Sequence, residues 1–319
     1  MPQRIIIDAD PGIGDAFAVL TALVDPSLDV VGLTATAGSV SGIQATRNLQ
    51  FITDLVDPLK HPRISECELP AVVSQADPRD APTRHSFLGT HGLGDVVVEV
   101  PDLHNRRESS KLIVDLVREF PHEIRLLTLG PLTNVATACD LDPELPSLLS
   151  GIVCLGGVNT GSGDVTAVAE YNIWADPEAA AAVFRMDTPT VLVPLAVSGS
   201  AVLTFEDVDM LTGLIDGTTN SEVLASMLQF SIRANRTQLA FEGIPLHGVV
   251  ALAVAAHAEP FNVVPVRADV ETSGQLTRGM TVIDRRRVFT GQTNLDMVTS
   301  IDELGVVDYF SRSFRRAAR

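Results

Sequence analysis

Three aspartates stand close together near the amino terminus, where a short apolar run ends. Asp8 directly follows the isoleucines at residues 5–7, Asp10 comes two residues later, and Asp15 lies a little further along. Because side chains alternate along a strand, Asp8 and Asp10 are expected on the same side of the strand's carboxyl end. Neighbouring carboxylates repel one another unless a positive charge holds them, and hard cations such as Ca²⁺ or Mg²⁺ take oxygen ligands of this kind. The spacing therefore predicts a divalent-cation site.

A purely structural interpretation of the same turn stays open. Pro11 and Gly12 reverse the chain after the apolar run, so Asp8 and Asp15 could serve only as caps of the turn and of the following helix. The turn nevertheless lies at the carboxyl end of a predicted strand, where open α/β sheets bind their ligands. That position favours the cation site over capping alone.

The elements that must position these carboxylates alternate between short apolar runs and helical patterns. Strands that alternate with helices of about ten residues indicate βαβ units and a parallel sheet covered on both faces. The predicted fold class is therefore α/β, a three-layer fold with a mostly parallel, Rossmann-like central sheet and helices on both faces. Strands are predicted over residues 4–7, 30–36, 124–128, 152–155 and 190–194, and helices over 15–24, 43–55, 111–118 and 178–184.

Three segments depart from this alternation. Residues 66–106 are rich in proline and contain a glycine-rich run, which predicts a loop-rich insertion, and residues 207–246 are predicted as a helical decoration. Residues 263–272, followed by 280–284, are predicted as a late hairpin. No repeat and no Gly/Ser-rich linker interrupts the chain, so residues 1–319 are predicted to form a single domain. The segments 38–42 and 198–200 are interpreted as turns.

Composition excludes several classes of protein. The formal net charge of −17 argues against binding to nucleic acid or to an anionic membrane, since both are polyanions. The three cysteines form no CxxC pair, which indicates a reduced compartment and no disulfide framework. No signal-peptide core and no long uncharged apolar stretch is present in the sequence, so a cytoplasmic location is predicted.

The aspartate turn also carries a family resemblance. The run Asp-Ala-Asp-Pro-Gly-Ile-Gly-Asp at residues 8–15 resembles the signature of the inosine–uridine-preferring nucleoside hydrolases, usually DxDPGxDD. Later segments resemble further motifs of that family in the expected order, from residue 4 to about residue 296, and the resemblance implies the nucleoside hydrolase fold. These segments are LGPLTN at 129–134, VAEYNI at 168–173 with DPEAA at 176–180, His247, and GQLTRGMT at 274–281.

The resemblance implies hydrolysis of the N-glycosidic bond of ribonucleosides, or of a related ribosyl compound, to ribose and a free base. By that similarity, a bound Ca²⁺ holds the attacking water, with Asp10, Asp15 and the backbone carbonyl of Leu129 as ligands. Asp10 is then also the general base. A cation lowers the pKa of bound water while an adjacent carboxylate accepts its proton, so the chemistry is coherent.

The resemblance further implies residues that bind the substrate. Glu170 and Asn172 fall where the family binds ribose hydroxyls, and Asp164 stands there in place of a usual asparagine. His247 falls where purine-tolerant members place a general acid for the leaving base, although a histidine that is merely hydrogen-bonded at a helix start remains an alternative. Members of the family are commonly homodimers or homotetramers, so a homo-oligomer is expected.

Two departures from the family pattern leave alternatives open. Gly14 replaces a carboxylate that would bind ribose, and Gly248 replaces an expected Ca²⁺ ligand, so weak Ca²⁺ binding is expected. A catalytically degenerate relative that only binds a ligand is one alternative. Another is a haloacid-dehalogenase-type phosphotransferase that uses Asp8 as nucleophile and Asp10 as acid. That chemistry needs a lysine, and the only two candidates, at positions 60 and 111, have no supporting motif.

Overall fold

The structure is a computed structural model that describes residues 2–67, 69, 87–103, 106–213, 217–286 and 291–318. The central sheet has eight strands, which in chain order are β1 (Gln3–Ala9), β2 (Leu28–Ala35), β3 (Arg63–Ile64), β4 (Ile124–Thr128), β5 (Gly151–Leu155), β6 (Thr190–Val193), β9 (Phe261–Val266) and β12 (Leu295–Ile301). Two small sheets are formed by β7 (Val202–Leu203) with β8 (Ile244–Pro245), and by β10 (Ala268–Val270) with β11 (Thr281–Ile283).

The helices occupy the intervals between strands. In chain order they are α1 (Ile13–Val24), α2 (Gly42–Val56), α3 (Ser109–Glu119), α4 (Thr133–Leu141), α5 (Leu145–Leu148), α6 (Tyr171–Ala175), α7 (Pro177–Val183), α8 (Leu195–Ser198), α9 (Phe205–Thr212), α10 (Thr219–Leu239), α11 (His247–Ala256) and α12 (Glu303–Ala317). Within the described ranges, no helix is long and apolar enough to cross a membrane.

The order of strands across the central sheet is β3-β2-β1-β4-β5-β6-β12-β9. Every neighbouring pair is parallel except β12 with β9 at the edge, which is antiparallel. The predicted mostly parallel α/β fold is therefore confirmed. Because parallel strands all point the same way, the carboxyl ends of β1, β2, β4, β5 and β6 meet at one edge.

Strand β1 is an interior strand of this sheet and contributes to a hydrophobic core on each face. Ile5 and Ile7 pack into the core that includes residues of α1, α2, α11 and α12. Ile6 points the opposite way, into the core that includes residues of α3, α4 and α7. All three isoleucines are fully buried, because the alternation along a strand between two helical layers leaves neither face open to solvent.

Two expectations need correction. Residues 263–266 belong to β9 and pair with β12, which itself was not predicted, so the late hairpin consists only of β10 and β11. The decoration at 207–246 is mostly helical, as predicted, but it ends in the short strand β8. Of the predicted insertion at 66–106, residues 68, 70–86, 104 and 105 lie outside the described residues.

Candidate active site

A cavity of about 150 Å³ lies at the carboxyl edge of the central sheet. Its walls come from loops and helix starts that follow β1, β2, β4, β5 and β6, together with the start of α11. This is the edge at which open α/β sheets bind ligands. The lining residues are Asp10, Asp15, Ser39, Leu129, Leu155, Gly156, Asp164, Glu170, Tyr171, Asn172, Leu195, Ser198 and His247.

Asp10 lies in the wall of this cavity just beyond the end of β1 and is almost fully buried. Its Oδ2 accepts a hydrogen bond from the backbone N–H of Ser39. A Cβ atom at Gly38 or at Gly130 would overlap the carboxylate. These two glycines allow the backbone to close tightly around Asp10, so its carboxylate is fixed in place from two sides.

Asp8 is fully buried but does not line the cavity, contrary to the expectation that it shares a site with Asp10. Asp8 is still paired within the sheet, opposite Thr34 on β2 and Thr128 on β4. Its Oδ1 accepts hydrogen bonds from Thr34 Oγ1 at 2.6 Å and Asn134 Nδ2 at 2.8 Å. Burial, with a smaller contribution from the nearby charge of Asp10, raises the pKa of Asp8 to about 7.

Asp15 enters the cavity from the first turn of α1, close to the two glycines that depart from the family pattern. A Cβ atom at Gly14 would have no heavy atom within 4 Å, whereas one at Gly248 would lie 3.4 Å from Asp15 Oδ1. Gly248 is the second residue of α11 and does not have a positive φ. Neither glycine is therefore required by its backbone conformation.

Asp10, Asp15 and the carbonyl oxygen of Leu129 are the groups that would hold a cation here. All are hard oxygen donors, which suit Ca²⁺ in kind, although Ca²⁺ takes about six to eight such ligands. In the described part of the chain, no three His, Cys, Asp or Glu side chains gather in a cluster that could hold a metal ion. The donor set thus fits Ca²⁺ by type and leaves the remaining ligand positions to water or substrate.

Asn172 links the carboxyl ends of the neighbouring strands β4 and β5. Its Nδ2 donates to the carbonyl oxygen of Leu129 at 2.6 Å and to that of Leu155 at 3.0 Å. Both protons of the amide nitrogen are thereby used, and the side-chain oxygen is the remaining polar atom of that amide. Asn172 consequently fixes the Leu129 carbonyl, which the family resemblance implies as a ligand of the cation.

Glu170 precedes α6 and caps its first turn. Its carboxylate accepts backbone N–H bonds from Gly157 at 2.8 Å, Asn172 at 2.9 Å and Ile173 at 3.2 Å. Burial, together with the negative charge of Asp164, raises the pKa of Glu170 to about 8. Asp164 itself is exposed, and its Oδ1 accepts from the backbone N–H of Tyr171 at 2.9 Å. Two carboxylates therefore face the same end of the cavity.

His247 is the first residue of α11, on the side of the cavity formed by α8. Its Nδ1 lies 2.8 Å from Oγ of Ser198, the last residue of α8. Burial lowers the pKa of His247 to about 4, so its ring is neutral at neutral pH. The sequence predicts only a turn over residues 198–200. The structure places Ser198 at the end of α8, in contact with His247.

The family whose model matches this chain is described as the inosine-uridine preferring nucleoside hydrolases, and the match covers residues 5–308. The chain belongs to this family. A curated relative, the pyrimidine-specific ribonucleoside hydrolase RihA of Escherichia coli O7:K1, is 31% identical over 317 residues, with 99% of each sequence covered. The resemblance read from the aspartate turn is thus confirmed.

Solved structures of nucleoside hydrolases share the fold over nearly the full length. A purine-preferring ribonucleoside hydrolase from Gardnerella vaginalis superposes with a TM-score of 0.86 at 29% identity, covering 99% of both chains. An inosine-guanosine nucleoside hydrolase superposes with a TM-score of 0.84 at 25% identity, covering 100% of this chain and 99% of the other. Hydrolysis of ribonucleosides is therefore the activity of this chain, and neither the phosphotransferase nor the ligand-binding alternative is favoured.

The structure brings together most of the residues singled out from the sequence of this nucleoside hydrolase. Asp10, Asp15 and Leu129 line one cavity with the predicted substrate residues and His247, while Asp8 does not. Gly38 and Gly130, which close around Asp10, and Ser198, which lies beside His247, were not predicted as site residues. Gly130 lies within the LGPLTN segment, which was noted, but no sequence pattern shows which side chain a glycine approaches.

Proposed function

We propose that the cavity around Asp10 is the active site, where water cleaves the N-glycosidic bond of a ribonucleoside to give ribose and a free base. The observation that carries this proposal is the gathering of carboxylates, an amide and an imidazole from separate segments around one cavity. Family membership supplies the reaction class, and these groups supply the functions that such a reaction needs.

Asp10 is the general base of the proposed reaction. Its carboxylate lines the cavity, and the backbone N–H of Ser39 holds its Oδ2 in position. As the water oxygen forms its bond to the anomeric carbon, the water proton passes to Asp10, and the electron pair of the glycosidic bond leaves with the base. The departing base then takes up a proton from solvent, and Asp10 returns its proton to solvent. A positioned carboxylate of this kind contributes about 10²–10⁴ to the rate.

The ribose lies, in this proposal, between Asp10 and the α6 end of the cavity. Asn172 offers its side-chain oxygen, because both amide protons already bind Leu129 and Leu155. Asp164 is the more exposed carboxylate of its pair and lines the cavity, so it offers an acceptor to a sugar hydroxyl. Hydrogen bonds to sugar hydroxyls favour the oxocarbenium-like transition state of glycosyl transfer.

His247 assists departure of the base. Because burial keeps the pKa of His247 near 4, the ring acts at neutral pH as a neutral hydrogen-bond donor and not as an imidazolium acid. Neutral imidazole is known to serve enzymes as an electrophile in this way. A hydrogen bond from the ring would stabilise negative charge that develops on the base as the glycosidic bond breaks.

Calcium remains part of the proposal, with Asp10, Asp15 and the Leu129 carbonyl as the residues that would hold it. When bound, such a cation makes the attacking water more acidic and binds sugar hydroxyls. A cytoplasmic location and a homodimer or homotetramer also remain predictions from composition and from the family resemblance. Size-exclusion chromatography with light scattering measures the oligomeric state directly.

A panel of ribonucleosides tests the proposed function. The relatives named above include both pyrimidine-specific and purine-preferring enzymes, so uridine, cytidine, inosine and guanosine are assayed together with added Ca²⁺. Released ribose is measured as reducing sugar, and the free base is measured by chromatography. We expect equal amounts of both products from at least one nucleoside. Folded protein that releases no ribose from any of them, or from a chromogenic riboside, would contradict the proposal.

A further inference from the structure

The hydroxyl of Ser198 has two acceptors within reach and one proton. Ser198 is fully buried at the end of α8. Its Oγ lies 2.8 Å from His247 Nδ1 and 3.2 Å from the carbonyl oxygen of Leu195. Since a serine hydroxyl donates one hydrogen bond, the two contacts cannot both be donations from Ser198. If Ser198 donates to Nδ1, the neutral imidazole carries its proton on Nε2. If Ser198 donates to the Leu195 carbonyl, Nδ1 can carry the proton and donate it to Oγ.

The surroundings favour donation to the imidazole. The Leu195 carbonyl already accepts the backbone N–H of Gly199 at 3.0 Å, so it does not depend on Ser198. The contact to Nδ1 is also the shorter of the two. A Cβ atom at Gly199 would lie 3.0 Å from Cε1 of His247, so the glycine leaves the ring room to sit tightly against the end of α8.

We propose that Ser198 is a positioning residue that donates its proton to Nδ1 of His247 and so holds the neutral ring with its proton on Nε2. This inference rests on the proposed role of His247 at the leaving base. A neutral imidazole that accepts at Nδ1 must carry its proton on Nε2. Nε2 makes no hydrogen bond to any residue of the described ranges, so its proton remains available to a bound nucleoside.

The tautomer decides whether His247 helps or hinders cleavage. With the proton on Nε2, the ring presents a donor to the atom of the base that gains electrons as the bond breaks. With the proton on Nδ1, Nε2 would present a lone pair to that same atom and repel it. A donor already oriented before the reaction needs no rearrangement in the transition state. Ser198 thus acts on the reaction through His247.

The protonated nitrogen can be observed without any assay of activity. Protein labelled with ¹⁵N-histidine gives long-range ¹H–¹⁵N correlations that distinguish the two neutral tautomers, and loss of signals in His247→Gln assigns the ring. In the native protein we expect the proton on Nε2. In Ser198→Ala we expect a shift toward the Nδ1-protonated form. Ser200→Ala, which removes a less buried serine hydroxyl two residues away, serves as the matched control and should leave the spectrum unchanged.

Kinetics then connect the tautomer to the reaction. Loss of one oriented hydrogen bond in Ser198→Ala should lower kcat for a natural nucleoside about threefold to tenfold, with KM little changed. Hydrolysis of 4-nitrophenyl riboside, whose leaving group needs no donor, should be nearly unaffected, and Ser198→Thr, which keeps the hydroxyl, should restore the native tautomer. A native spectrum with the proton on Nδ1, or a spectrum that Ser198→Ala leaves unchanged, would overturn the proposal. Absence of all riboside hydrolysis would instead contradict the proposed function.

Discussion

Gly248 of α11 lies beside Asp15 of α1, which lines the cavity. A Cβ atom built on Gly248 lies 3.4 Å from Asp15 Oδ1, 3.1 Å from the Cβ of Ala18 and 3.1 Å from the carbonyl oxygen of Gly14. A side chain at position 248 would therefore point to the carboxylate that enters the cavity from α1. The family resemblance implies a cation ligand at this position, and glycine supplies none. A carboxylate here would also bring a like-charge contact with Asp15 in the protein without metal.

Gly248→Asp should make the stability of the protein depend on Ca²⁺. Without the cation, the new carboxylate faces Asp15 and should lower the melting temperature. With Ca²⁺ present, the added ligand should strengthen binding, and a ligand that binds only the folded state stabilises it in proportion to the logarithm of its concentration. Thermal unfolding with and without Ca²⁺ measures both effects. Gly248→Ala introduces the Cβ alone and is the control; an equal Ca²⁺-induced shift in both variants would refute the expectation.

The native site should hold Ca²⁺ weakly. Two carboxylates and one carbonyl supply fewer oxygens than the six to eight that Ca²⁺ gathers, so a dissociation constant of about 10⁻⁵ M or weaker is expected. Dialysis against a chelator should remove the metal and reduce nucleoside hydrolysis, and added Ca²⁺ should restore it. Elemental analysis and calorimetric titration measure the content and the affinity. Stoichiometric Ca²⁺ that resists the chelator would show that the site is complete without the missing ligands.

Asp164→Asn should change how stability depends on pH. The pKa of Glu170 rises from 4.5 in the unfolded chain to about 8 in the folded protein, through burial and through the charge of Asp164. The folded state therefore holds a proton that the unfolded state has released, and the free energy of unfolding falls as pH rises through this window. Removing the charge of Asp164 lowers the pKa of Glu170 in the folded protein. The decline in the free energy of unfolding should therefore end at lower pH.

Denaturant unfolding between pH 5 and pH 9 measures this dependence in the native protein and in Asp164→Asn. Asparagine retains an oxygen that can accept from the backbone N–H of Tyr171, so the loop keeps its hydrogen bond. We expect the variant to be the more stable protein near pH 8 and to match the native protein near pH 5. Parallel curves over the whole range would mean that the two carboxylates do not interact.

Asn172→Ala should destabilise the fold as well as the site. The variant removes the two donors that bind the carbonyl oxygens of Leu129 and Leu155, in a side chain that is 7% exposed. Buried acceptors that lose their donors cost about 1–3 kcal/mol. The free energy of unfolding is measured in denaturant, with Asn262→Ala on the exposed edge strand β9 as the control. No difference between the two variants would show that water replaces the amide at little cost.

The sequence was sufficient to predict the parts of the fold that local pattern determines. The isoleucines of β1 alternate between two cores, and the aspartate turn that follows them lies where the family resemblance places it. Strand β9 was assigned to the wrong partner because its residues favour a strand without specifying a neighbour. The residue pattern of an edge strand is the same whether the strand pairs with β10 or with β12.

The site was predictable to the extent that its residues lie in motifs. Asp8 was misplaced because the alternation of side chains gives a face but not the point at which the sheet ends, and Asp8 still pairs with Thr34 inside it. Ser198 was missed because its role depends on the position of α11, which brings His247 beside it from a distant part of the chain. Contacts of that kind follow from tertiary packing and leave no local signal.

The turnover of Asp10→Asn tests the central claim most directly. The variant keeps the size of the side chain and an oxygen that can accept from Ser39, but it cannot take a proton from water. For the nucleoside that the native protein hydrolyses fastest, kcat with saturating Ca²⁺ should fall at least ~10²-fold, while Asp140→Asn on the exposed face of α4 should leave it unchanged. Near-native turnover in folded, Ca²⁺-loaded Asp10→Asn would contradict the assignment of this cavity as the catalytic centre with Asp10 as its base.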